Sequence, residues 1–86
     1  MFKEITFDVD DEIARMKDLC SSINDFLEGE MNSKNIMDAQ FYLGTCFEIL
    51  RWLNLSEEGR NRAVGYGEVL DIYQNQIVSQ WKQLVS

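Results

Sequence analysis

Histidine and proline are absent from this chain of 86 residues, and cations are scarce: 8 Lys and Arg stand against 15 Asp and Glu, a net charge of −7. Without histidine there is no imidazole general base, no Ser-His-Asp triad and no His-based metal site. The shortage of cations excludes a strongly basic surface of the kind that binds a nucleic-acid backbone. Two cysteines do not make a disulfide scaffold and fit a reducing compartment. Long apolar runs are missing too. The most apolar stretch, 36–53, is interrupted by Asp38, Gln40, Glu48 and Arg51, which is too polar for a membrane span. No basic region followed by an apolar stretch and a small-residue cleavage site opens the chain. A cytoplasmic, non-membrane protein without cofactor or metal is expected.

What is present argues for a folded domain. Hydrophobic residues make up 45% and aromatics 12%, too much for a disordered acidic tail. The length allows a single domain, and a chain this short buries only about 60% of its unfolded surface, so it needs either a very regular core or a partner.

The lack of proline, with long apolar periodicities, favours a few long helices. Val9, Ile13, Met16, Cys20, Ile23 and Leu27 recur every three or four residues and predict a helix over 9–28, with Gly29 as its stop. Ile36, Ala39, Leu43, Cys46, Leu50 and Leu53 do the same for 33–54, started by Asn32 or Ser33. Met37, Phe41, Tyr42, Phe47, Ile49 and Trp52 spread apolar surface around this second helix, as expected of a central helix or one shared with a partner. Ala63, Tyr66, Leu70, Tyr73, Ile77, Trp81 and Leu84 hold one phase through Gly65 and Gly67, which predicts one helix over 57–85 capped by Ser56, with a kink or break near Gly65–Gly67 as the alternative. Phe2, Ile5 and Phe7 sit among polar residues, and Ile5, Phe7 and Val9 alternate, so 1–7 reads as a short extended arm. The expected fold is all-α: a small antiparallel three-helix bundle with that arm, whose stripes also suit a hairpin completed by dimerisation.

Four features bear on function. Asp8, Asp10, Asp11, Glu12 and Asp18 concentrate negative charge on the first helix. Residues 1–30 carry net −6, residues 31–55 zero and residues 56–86 −1. Helix-start carboxylates explain much of this, but a localised field also steers a basic partner. A calcium loop beginning at Asp8 fails, because its glycine and bidentate-glutamate positions hold Ile13 and Leu19. Aromatics exceed what so small a core can hold. Tyr42, Ile49, Trp52, Tyr66 and Tyr73 are therefore the expected apolar contact residues, with a notch at Gly65–Gly67 flanked by Tyr66 and Tyr73. Tight helix packing is the alternative reading of those glycines.

Arg60 and Arg62 after the Ser56 cap form the one candidate anion site, although no P-loop glycine pattern accompanies them. Cys20 and Cys46 both fall on core stripes. Folding the hairpin about residues 30–32 leaves them about 6 Å apart along the axis, which favours free thiols. No nucleophile–base pair or convergent acid pair points to an enzyme. The sequence reads as a small acidic, non-enzymatic protein-binding factor. It would be an inhibitor, adaptor or immunity-type protein, with a composition like that of small phage proteins that block host machinery. The alternative is a self-assembling oligomer, in its simplest form a dimer, that could hold an anionic nucleotide.

Overall fold

The computed structural model describes residues 8–86, so the expected arm at 1–7 lies outside the described residues. The described chain is all-helical, with four helices: α1 (Val9–Glu28), α2 (Ser33–Leu53), α3 (Glu57–Arg62) and α4 (Tyr66–Val85).

Each of the first three helices starts on a side chain that accepts hydrogen bonds from otherwise unpaired amides. Asp8 Oδ1 accepts from the backbone N–H of Asp10 (2.9 Å) and of Asp11 (3.4 Å). Asn32 Oδ1 accepts from Asn35 N–H at 2.8 Å, and Ser56 Oγ from Gly59 N–H at 2.9 Å. Asp10, Asp11 and Glu12 then lie in the first turn of α1, where the helix dipole favours negative charge.

The single helix expected over 57–85 is two. Ala63 N–H closes the last turn of α3 on Gly59 O, and Tyr66 N–H bonds Ala63 O. Gly65 then takes φ 91°, the one positive φ among the described residues. A left-handed residue cannot sit inside a right-handed helix, so the axis restarts at Tyr66. The apolar phase survives the break because Ala63 and Leu70 both reach the core on either side of it.

The core is a single cluster. Val9, Ile13, Met16 and Ile23 enter from α1, and Ile36, Ala39, Leu43, Cys46, Ile49 and Leu53 from α2. Ala63, after α3, and Leu70 and Ile77 from α4 complete it. No buried charged or polar residue interrupts it among the described residues. α2 is the middle element and packs on both α1 and α4, while α1 and α4 touch each other much less. Gln80 Nε2 donates to Leu27 O (3.0 Å) and Trp81 Nε1 donates to Gln40 Oε1 (3.2 Å). These bonds bring the last turns of α4 to the end of α1 and the first half of α2.

The turn between α1 and α2 shifts the register of that pair. Gly29 and Asn32 are both extended, and Asn35 Nδ2 donates back to Glu30 O (2.8 Å). Across the pair Phe26 lies against Tyr42, with ring centroids 5.5 Å apart. Cys20 and Cys46 face each other across the two helices, both as free thiols.

Candidate functional site

The outward side of α2 exposes three large apolar side chains, Met37, Phe41 and Trp52. Lys34, Met37, Phe41, Thr45, Glu48 and Trp52 recur at helical spacing and share that face. Phe41 is 74% exposed, Met37 60% and Trp52 54%. The opposite side of the same helix supplies the buried stripe, so α2 has apolar residues on two sides and burial on one.

At one edge this face runs into a shallow apolar groove between α2 and α4, formed by Gln40, Leu43, Gly44, Phe47, Val78 and Trp81. Gly44 forms part of its floor. A Cβ there would meet nothing within 4 Å, so the groove is open above the α2 backbone. The Trp81–Gln40 hydrogen bond holds one wall.

The expected apolar contact residues divide. Trp52 lies on the open face. Ile49 does not: it is 3% exposed and belongs to the core. The register of α2 turns Ile49 inward between Cys46 and Leu53, a correction to its expected outward position. Tyr42, Tyr66 and Tyr73 are half-buried and pack against the core, Tyr42 through its ring contact with Phe26. Gly65 has open space around it and serves the α3–α4 turn, while Gly67 lies against the Leu50 side chain. The two glycines thus have separate structural tasks, and packing against α2 accounts for the second. Phe41 and Met37 are the residues that sequence reasoning missed as contact candidates. The signal was the four-residue spacing of Met37, Phe41 and Thr45 in turn, out of phase with the core stripe.

The acidic residues remain at the surface. Asp8 is the α1 cap, Asp10 pairs with Arg62, and Glu12 pairs with Arg15 at 3.7 Å. Asp11 and Asp18 are exposed and belong to no ion pair among the described residues. The two arginines of the candidate anion site are engaged separately. Arg62 joins Asp10 and, at 4.0 Å, Glu58, and Arg60 Nη1 donates to Asn54 O at 3.1 Å. Arg62 thereby links the α3 segment to the start of α1, and no shared anion cradle forms between the two guanidiniums.

The two thiols perturb one another. A hydrogen bond from Cys46 lowers the pKa of Cys20 below the ordinary thiol value, against the opposing effect of burial. The same bond, together with burial, pushes Cys46 up. Burial, followed by the nearby thiols and Glu28, raises the Tyr73 phenol. No group of three His, Cys, Asp or Glu converges on a metal-sized site among the described residues. No helix there is long and apolar enough to cross a membrane. No protein-family model matches the chain, and no curated protein or solved structure matches it.

Proposed function

We propose that the chain is a small acidic, non-enzymatic protein-binding factor that docks on a larger partner protein and acts as an inhibitor, adaptor or immunity-type blocker. The observation that carries this reading is the outward face of α2. Phe41, Met37 and Trp52 together expose the kind of apolar patch that marks contact surfaces rather than solvated ones. The scaffold we propose beneath it is the antiparallel three-helix bundle, with α3 a short turn before the third long helix. The acidic edge of α1 would add steering toward a basic surface on the partner, an effect on encounter rate more than on final affinity. Cytoplasmic location goes with the free thiols.

Affinity capture of cell proteins on the immobilised chain, at low and high salt, tests the reading. A partner retained at low salt and released more readily at high salt is the expected result. Failure to retain any protein at low salt contradicts it.

A second reading, self-assembly through the same face, is favoured by the charge balance of α2, which is neutral in a chain of net −7. The nucleotide-sponge version of that reading loses its support where Arg60 and Arg62 turn to separate partners.

A further inference from the structure

The outward face of α2 has a symmetry that its apolar content alone does not require. Lys34, Phe41 and Glu48 are spaced seven residues apart, so they fall on nearly the same line along the helix. Each charge is about 10 Å from the aromatic ring's position along the axis at the helical rise. The two ends carry opposite signs, and the middle carries the most exposed aromatic residue of the face.

An antiparallel copy of this helix, turned about a twofold axis at Phe41, places Lys34 of each chain opposite Glu48 of the other. It also places Phe41 beside its own mate, and Met37 beside Thr45. Isologous contacts require this kind of self-complementary pattern.

Charge also selects the occupant. The chain as a whole is strongly acidic and repels its own copies, yet residues 31–55 sum to zero. The α2 face is therefore where two copies can meet with least repulsion. Glu48 has no cationic partner among the described residues, and the Lys34 side chain is 82% exposed, with only Asp38 beside it at 3.2 Å. Glu48 is free to reach across, and Lys34, exposed and paired only with Asp38 on its own helix, would share or exchange that partner for Glu48 of the second copy. Gly44, with open space where a side chain would stand, leaves room near the crossing point for a second backbone.

We infer that the outward face of α2 binds a second copy of this chain in an antiparallel twofold pairing, with Lys34 of each protomer opposite Glu48 of its partner across a Phe41 centre. The inference rests on the second reading, self-assembly through this face, and a copy seated there takes the place of a larger partner on the same surface.

Sedimentation equilibrium of the full chain across micromolar concentrations, with charge-reversal variants, tests it. The expected result is a concentration-dependent dimer that Glu48→Lys weakens by about tenfold or more, since like charges then face each other twice. Lys34→Glu alone should act in the same direction. The double variant Lys34→Glu, Glu48→Lys restores the opposite-charge pairing and with it the dimer. All these positions are exposed, and circular dichroism checks that helicity is retained. A monomer at every concentration overturns the pairing, as does a dimer indifferent to the reversals or a double variant no tighter than Glu48→Lys. If the chain is monomeric while Phe41→Ser abolishes capture of another protein, the pairing is wrong and the contact-surface reading stands.

Discussion

Single residues divide here by whether they are held in the core or left outside it. Met16 and Ile36 are fully buried, so truncating either to Ala should cost about 2–5 kcal/mol, read by urea denaturation. Leu43→Asp should unfold the chain outright, because a carboxylate would replace a core side chain with no partner for it. Retained native circular dichroism in that variant would contradict the burial of Leu43.

The two thiols should differ in reactivity. Cys20 is half-buried with its pKa lowered by the Cys46 hydrogen bond, whereas Cys46 is buried and raised. Iodoacetamide should therefore modify Cys20 well before Cys46 in the folded protein, as peptide mass mapping would show. Equal rates would mean the pair is not arranged as described. The same shifts set the alkaline behaviour. Raised folded pKa values at Cys46 and Tyr73 mean that the unfolded chain loses those protons first, so their contribution to stability falls as pH rises above the ordinary thiol and phenol range. Cys20, shifted down, acts the other way just below that range. The melting temperature should decline on the alkaline side of pH ~10.

At the scale of the element, the first two helices could be read almost to the residue. Their apolar stripes and caps act locally, and Asp8, Asn32 and Ser56 do in the fold what their chemistry implies. The α3–α4 break could not be read the same way. Periodicity records which side of a helix is buried, and Ala63 and Leu70 are buried on both sides of the interruption. Only the backbone conformation of Gly65 separates one helix from two. Ile49 was expected outward, and Phe41 was left out of the contact residues, for a related reason. On a helix with apolar residues almost all round, composition does not choose the inner side, and packing against α1 and α4 does.

Two glycine substitutions test this junction. Gly65→Ala should cost roughly 1–2 kcal/mol, the penalty for a left-handed L-residue. Gly59→Ala should cost more, because its Cβ would collide with the carbonyl oxygen of Leu53 and push α3 off the end of α2. If both variants are neutral in thermal unfolding, the α2–α3–α4 corner is looser than described.

For the whole molecule, the relevant facts are an acidic edge on α1 and a neutral, apolar face on α2. The α1 charge was visible as a sum over residues 1–30, but its availability was not, since Asp8 and Asp10 turn out to serve the cap and the Arg62 link. Asp11 and Asp18 remain exposed and outside any ion pair among the described residues. Reversing both to Lys should slow association with a basic partner and flatten its salt dependence, while circular dichroism stays unchanged. An unchanged association rate, measured by surface plasmon resonance, would assign the α1 charge to helix capping alone.

The most direct test compares capture by the native chain with capture by the double variant Phe41→Ser, Trp52→Ser, both immobilised and shown to melt alike. These side chains are more than half exposed, so their loss should leave the fold intact. The expected result is a protein, another copy of the chain included, that the native form retains and the variant does not. The same retained proteins on both would show that the outward face of α2 is not a contact surface.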